Sequence, residues 1–263
     1  MRLHKYIANC GYTSRRRAEL LIQAGRVQVN NKVLTSLGTT IDPARDTILV
    51  NGEEIRPPEP LTIVFNKPAG VITSTHDTHE RLTVMDVLPR SLRDRGVLPV
   101  GRLDQDTQGL LILTNVGDLS HRITHPSFEL EKEYEALVPG LPSQEGVRRL
   151  ETGLRIDGEM TAPARVASVS PEGSSSRIRL IIHEGRKRQV RRMLEAIGHP
   201  VISLRRVRVG GLRLGDLPEG QWRELDAGEV VLLVGDAPTG SGGRPFPRRA
   251  QDPPRRGAAK GRR

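Results

Sequence analysis

The stretch "VGRLDQDTQGLLILTNVG", Val100 to Gly117, sets two aspartates, Asp104 and Asp106, just ahead of an unbroken aliphatic run from Leu110 to Leu113. Four consecutive aliphatic residues without polar alternation fit a strand buried on both faces of a sheet. A carboxylate beside Arg102 at the mouth of such a strand has three readings: a metal ligand, a nucleophile, or a loop residue.

Around that run the chain from Leu61 onward is strand-rich. "LTIVFNKPAGVITS", "LLILT", "KEYEALVPG", "RIRLIIHEG" and "EVVLLVG" all read as short β-type runs. Helical segments intervene near "TVMDVLP" and "SQEGVRRLETGL", and the clearest helix lies in "GRKRQVRRMLEAIGHP". There Val190, Met193, Leu194 and Ile197 form one apolar face, while Arg188, Arg191, Arg192 and Glu195 share the opposite one. Such charges ordinarily belong to a solvated face, yet three arginines on one side also suit the wall of a basic cleft. No regular βαβ alternation and no internal repeat is visible, so the expected class is α+β with a mixed, mainly antiparallel sheet.

Toward the N-terminus the pattern changes. "RPPEP", Arg56 to Pro60, removes backbone donors and favours an extended connector. Before it, Leu3, Tyr6, Ile7 and Cys10 fall at helical spacing, and Gly11 ends the run. A second helix follows, capped by Thr13 or Ser14, with Ala18, Leu21 and Ile22 as its stripe and Gly25 at its end. "RVQVNNKVL" then alternates around Asn30-Asn31, a pair that tolerates positive φ and fits a hairpin. The expected domains are residues 1–56, a linker at 57–61, a second domain at 62–236, and a disordered basic tail at 237–263.

Charge narrows the partner. The 263 residues carry a net +10, with hydrophobic residues at 36%, and this points to a polyanion, nucleic acid before membrane. The tail from Ala237 holds seven Arg and one Lys against one Asp, so the other 236 residues hold only about +3 and any strong patch among them is local. Two patches stand out. Residues 1–36 carry Arg2, Lys5, Arg15, Arg16, Arg17, Arg26 and Lys32 against Glu19 alone, and residues 184–213 carry nine basic groups against Glu184 and Glu195. "SRRR" opens the second helix at the end where the helix dipole disfavours cations. An RNA or DNA phosphate would offset that cost, which makes Lys5, Arg15, Arg16, Arg17 and Arg26 candidate RNA-binding residues. No apolar run is long enough to cross a bilayer and the start "MRLHKYIANC" lacks a secretory apolar segment, so a cytoplasmic protein without membrane contact is expected. The single Cys10 can form neither an internal disulfide nor a cysteine-rich zinc site.

Several chemistries lose support. There is no phosphate-cradling Gly-rich loop, no dinucleotide fingerprint, no G-x-S-x-G elbow, and "HEGRKRQ" lacks the second His of a zinc motif. Asp104 and Asp106 form a D-x-D pair, but so short a pattern is common and only Asp118 lies near as a third hard ligand, so no metal is expected. A nucleophilic carboxylate explains more: it must be ionised and held still, which a cationic partner and a rigid buried strand supply. That partner could be Arg102 or an arginine arriving from "EGRKRQVRRMLEAIG".

"GRLDQDTQGLLILTNVGDLSHRITHP", "KPAG" (Lys67 to Gly70), "KEYEALV" and "EGRKRQVRRMLEAIGHPVISLRRVRVG" resemble, in order and across roughly Asn66 to Leu225, the RNA pseudouridine synthases that modify ribosomal RNA. "RLHKYIANCGYTSRRRAELLIQAGRVQVNNKV" is similar to the αL RNA-binding motif of a ribosomal small-subunit protein, and its union with the second domain is typical of that branch. The resemblance implies a cofactor-free isomerisation of uridine to pseudouridine. Asp104 would be the nucleophile, attacking the sugar C1′ or C6 of the base, with Asp106 as a loop hydrogen-bonding residue. Tyr134 would stack on the base and Arg191 would form an ion pair with Asp104; Leu204 would line the pocket. Lys67, Arg102, Arg186, Arg188 and Arg192 are the remaining candidate substrate contacts.

The expected substrate is ribosomal RNA or a pre-ribosomal particle, of the large subunit by the match of "EGRKRQVRRMLEAIGHPV" and the basic tail, and the expected state is a monomer. The alternatives are a small-subunit synthase and a non-catalytic RNA-binding assembly factor. Aromatic residues are only 3% of the chain, so affinity is expected to come mainly from phosphates and RNA shape.

Overall fold

The computed structural model describes residues 1–235, so the expected tail at 237–263 lies outside the described residues. The N-terminal unit runs α1 (Leu3–Asn9), α2 (Arg15–Gln23), β1 (Val27–Val29), β2 (Lys32–Leu34), β3 (Ile48–Val50) and β4 (Glu53–Glu54). Ser14 caps α2 by accepting the Arg17 N–H at 3.3 Å. Asn30 and Asn31 both take positive φ, +51° and +66°, as the two-residue turn between β1 and β2 requires. The sheet order is β2-β1-β3-β4, and both helices pack on it through Leu3, Tyr6, Ile7, Ala18 and Ile22. Ile55 closes this core and Leu61 opens the next, so Arg56 to Pro60 spans between two separately packed units.

The second unit runs β5 (Thr62–Lys67), α3 (Val84–Val87), α4 (Arg90–Arg93), β6 (Leu98–Val100), β7 (Thr107–Thr114), α5 (Gly117–Thr124), β8 (Lys132–Pro139), α6 (Gln144–Thr152), β9 (Arg155–Ile156) and β10 (Glu159–Met160). It continues through β11 (Arg165–Glu172), β12 (Ser175–Ile182), α7 (Gln189–Ala196), β13 (Ser203–Val209), β14 (Leu212–Arg213), β15 (Trp222–Glu224) and α8 (Ala227–Val234). A nine-stranded sheet follows the order β11-β12-β8-β13-β7-β5-β15, with β14 on β13 and β6 on β7. The β7–β13 pair is parallel and the others are antiparallel, so the sheet is mixed and mainly antiparallel within an α+β chain.

β7 explains its own sequence. Leu111 and Leu113 face the core under α3 and α4, whereas Leu110 and Ile112 face the core under α5 and α8. A strand covered on both faces has no polar side to alternate with. Gly109 sits where β7 meets β13 at φ +104°, and a Cβ there would lie 2.3 Å from the Arg206 carbonyl oxygen. Only glycine permits that approach.

Three segments depart from the sequence expectations. "EVVLLVG" is helical, because Asp226 accepts the Glu229 N–H at 2.8 Å while Glu229 accepts the Asp226 N–H at 3.2 Å. That capping box overrides the β preference of two adjacent valines. The run "LTIVFNKPAGVITS" ends as a strand at Lys67, where Pro68 cannot continue the ladder. β13, "SLRRVRV", was not expected as a strand, since its inward set is Leu204, Arg206 and Val209, with a bulge between Arg206 and Arg208.

Candidate active site

Asp104 sits in the loop between β6 and β7, and backbone bonds fix that loop from both sides. Thr107 N–H donates to the Asp104 carbonyl at 3.1 Å, and Gly70 N–H donates to the Gln105 carbonyl at 2.9 Å. The Thr73 hydroxyl donates to the Leu103 carbonyl at 2.9 Å and accepts the Leu103 N–H at 3.2 Å. Beneath them Lys67, fully buried, donates from Nζ to the carbonyls of Pro68 and Val71 at 2.7 and 2.6 Å, and to Gln105 at 3.4 Å. Burial holds its ammonium down to about 8, opposed by the charges of Asp106, Asp104 and Glu219. Lys67 is therefore no substrate contact, in contrast to the sequence expectation: its amine is spent on joining the "KPAG" loop to the aspartate loop.

The arginines of α7 arrive beside this loop, but on the neighbouring carboxylate. Arg188, the N-cap residue of α7 at φ +53°, places both guanidinium nitrogens 3.0 Å from the two Asp106 carboxylate oxygens. Arg191 donates from Nη2 to the Asp106 carbonyl at 2.8 Å, and its Nε lies 3.3 Å from Asp106 Oδ2. The expected Arg191–Asp104 ion pair is thus replaced by an Arg191–Asp106 pair, and Asp106 is more than a loop residue. Burial raises the Asp106 carboxyl, but the Arg188 bonds and the charges of Arg191 and Arg188 outweigh it and leave the group below its ordinary value. Burial lowers the Arg191 guanidinium, with Asp106 and then Asp104 opposing the shift. Among the described residues the Asp104 carboxylate accepts no side-chain hydrogen bond, and the buried Arg191 Nε lacks a hydrogen bond of good geometry.

A cleft of about 1060 Å³ opens over the loop and is lined by Arg102, Asp104, Tyr134, Arg186, Arg188 and Leu204 among others. Tyr134 is half-buried on β8 and packs against both the core under α7 and the core under α3, so its ring is held where the two meet. Leu204 is buried in register with Ala136 on one side and Thr107 on the other. Arg102 is exposed, whereas Arg186 is tied to Glu184 and Glu159 at 3.3 Å each. Lys132, two residues before Tyr134 and so on the same strand face, lines the cleft too. Its Nζ donates to the carbonyls of Leu130 and His183 at 2.9 and 3.2 Å, and burial lowers its pKa. That i, i+2 relation was present in "KEYEALV" as the signal for Lys132.

Arg192 departs from the expected set: it pairs with Asp157 on the β9–β10 hairpin, turned from the cleft wall. In the N-terminal unit Arg15, Arg16, Arg17 and Arg26 are exposed. Lys5 instead meets Asp118 at the start of α5, at 2.5 Å, which ties the two units together and removes Asp118 from any metal set with Asp104. Among the described residues no group of three or more His, Cys, Asp or Glu could hold a metal, and no helix is long and apolar enough to cross a membrane.

A carboxylate whose loop backbone is fixed, in a cleft lined by guanidinium groups and a tyrosine, suits nucleophilic attack on a bound base or sugar. A family model for RNA pseudouridylate synthase matches residues 61–196, the segment that carries this loop, Tyr134 and all of α7. The chain belongs to the RNA pseudouridylate synthase family. A model for the S4 domain matches residues 1–48 of the same chain, the unit with the exposed arginines. The ribosomal large subunit pseudouridine synthase B of Bacillus subtilis (strain 168) is 46% identical over 88% of this chain and 95% of its own length. An uncharacterised RNA pseudouridine synthase of Aquifex aeolicus (strain VF5) is 40% identical over 89% of this chain and 93% of its own. Among solved structures, a pseudouridylate synthase crystal structure covers 89% of this chain and 100% of that one, with TM-score 0.64 and 32% identity.

Proposed function

We propose that this pseudouridine synthase isomerises a specific uridine of large-subunit ribosomal RNA, with Asp104 as the nucleophile and without a cofactor. The observation that carries the reading is the state of Asp104: its loop is bonded to Gly70 and Thr73 of the segment after β5, yet its carboxylate is free of side-chain partners among the described residues and lines the cleft with Tyr134 and Arg188. Relatives named for large-subunit ribosomal RNA, in Bacillus subtilis and in Vibrio cholerae, favour that substrate.

A stacked uridine is out of reach of a carboxylate on a cleft floor, so the target nucleotide flips out and its ring meets Tyr134. Asp104 attacks C1′ of the ribose or C6 of the uracil. The N1–C1′ bond breaks, the base turns within the cleft, and a C5–C1′ bond forms, with the bond from Asp104 to C1′ or C6 breaking to release the free carboxylate. The C5 proton leaves to solvent, with assistance from the Tyr134 hydroxyl, while N1 takes up a proton, so that the net change is an isomerisation with no redox partner. Arg191 and Arg188 keep positive charge beside the attacking carboxylate through Asp106, and Arg102 and Arg186 meet the phosphates of the flipped nucleotide. All these groups come from one chain, which favours a monomer, and a ribosomal RNA or assembling particle as substrate argues for the cytoplasm.

Mapping pseudouridine across ribosomal RNA from cells with and without this protein tests the reading. We expect one large-subunit uridine to lose its modification and to regain it with the wild-type chain but not with Asp104→Asn. Unchanged maps, or restoration by Asp104→Asn, would leave only an RNA-binding assembly role.

A further inference from the structure

At its α5 side the cleft reaches His125, one member of an exposed aromatic group that the reaction does not use. α5 ends at Thr124, and a 3-10 turn, Pro126–Phe128, follows at once. His125 caps that turn, its Nδ1 accepting the Ser127 N–H at 3.3 Å and meeting Ser127 Oγ at 2.7 Å. The ring is thereby fixed against rotation. His121, His125 and Phe128 form a group with centroids 4.8, 6.0 and 6.2 Å apart, both Phe128 pairs being edge-to-face. Phe128 nonetheless stays 45% exposed, and both histidines are exposed as well.

Single surface aromatics need no explanation. Three of them held together, two of the chain's seven His and one of its three Phe, are a different matter. Position sharpens the point. Thr124, His125 and Pro126 line the same cleft as Asp104. At its other end α5 touches the S4 unit: a Cβ on Gly117 would lie 3.1 Å from Asn9 Oδ1 and 3.9 Å from Arg15 Nη2. The helix is about 12 Å long. On the proposed function, an RNA strand held by Arg15 to Arg17 that delivers a nucleotide to Asp104 would pass along α5 and this ledge, where Arg122 offers a cation with no carboxylate partner among the described residues.

We infer that His125 and Phe128 form a stacking subsite for an unpaired base next to the target uridine, with Arg122 beside that nucleotide's phosphate. The inference rests on the proposed function for its RNA substrate and extends it. Stacking on an aromatic face is sequence-tolerant and strong enough to hold one base splayed from the helix. The ledge then keeps the strand open around the target and supplies the platform that the scarcity of aromatics withholds elsewhere.

Binding can be separated from turnover by placing every variant in the Asp104→Asn background and titrating a fluorescein-labelled single-stranded RNA of about a dozen nucleotides and the fully paired duplex of the same sequence. We expect Phe128→Ala to weaken the single strand about tenfold and the duplex by less than twofold, with Phe128→Tyr close to the parent. On C5-tritiated ribosomal RNA with Asp104 intact, Phe128→Ala should raise KM about tenfold and lower kcat by less than about threefold. Equal loss on strand and duplex, no loss on either, or failure of Phe128→Tyr to rescue would overturn the subsite. Absence of tritium release from the wild-type chain would instead refute the isomerase reading, and the titration would still decide the ledge.

Discussion

Asp106, two residues beyond the candidate nucleophile, takes both guanidinium nitrogens of Arg188 at 3.0 Å and brings Arg191 Nε to 3.3 Å. One carboxylate thus orients two arginines and offsets one of their two charges, while Asp104 is left unpaired by any side chain among the described residues. The division of labour is physical: a carboxylate clamped by Arg188 would be a poor nucleophile, since its oxygens are already hydrogen-bonded.

Replacing Asp106 by Asn keeps its shape and removes the charge that holds Arg188 and Arg191. Arg191 keeps its bond to the backbone carbonyl of residue 106, but its Nε loses the carboxylate and can turn to Asp104. We expect kcat to fall about tenfold or more with KM changed by less than about threefold. Tritium-release kinetics read this split, and a pure KM effect would contradict the clamp.

Lys67 has a folded pKa of about 8 against 10.5 for the ordinary lysine, through burial. Below about 8 both folded and unfolded chains carry the proton and its burial cost is fully present. Between 8 and 10.5 the folded chain is neutral while the unfolded chain still binds a proton, so stability rises with pH. The Tm of the wild type relative to Lys67→Met should therefore climb from pH 8 to pH 10.5. A flat or falling difference would show that the amine is not desolvated as described.

Gly109→Ala drives a methyl into the Arg206 carbonyl in the parallel β7–β13 pair. A loss of about 3 kcal/mol or more is expected, or about 6 to 12 °C in Tm. Thermal unfolding followed by circular dichroism measures it, and a shift under about 2 °C would mean that the two strands separate easily.

Changing Arg15, Arg16 and Arg17 together to Gln removes three exposed cations from the S4 unit. The slope of log binding constant against log salt should become shallower by about 2 to 3, with KM rising far more than kcat falls. Equal damage to both would mean that this unit also shapes the cleft.

Local chemistry was legible in the sequence. The Asn30-Asn31 turn, the Ser14 cap, the apolar face of α7 and the doubly buried run of β7 all follow from residues within one turn or one strand. Long-range pairing was not. Nothing local to "SLRRVRV" reveals that β13 lies between β7 and β8, or that buried Arg206 donates to the Leu110 carbonyl at 2.8 Å. The same holds for Asp106, whose partners sit more than 80 residues away, and for Lys67, whose acceptors are backbone atoms. In "EVVLLVG" the deciding signal was the Asp226 and Glu229 pair, which outweighed the β-branched residues that suggested a strand.

Tritium release from C5-labelled ribosomal RNA by the wild-type chain, beside Asp104→Asn tested for undiminished RNA binding, bears most directly on the central claim. The account predicts release at up to one equivalent per RNA for the wild type and none from Asp104→Asn. Release by Asp104→Asn at a comparable rate would contradict it.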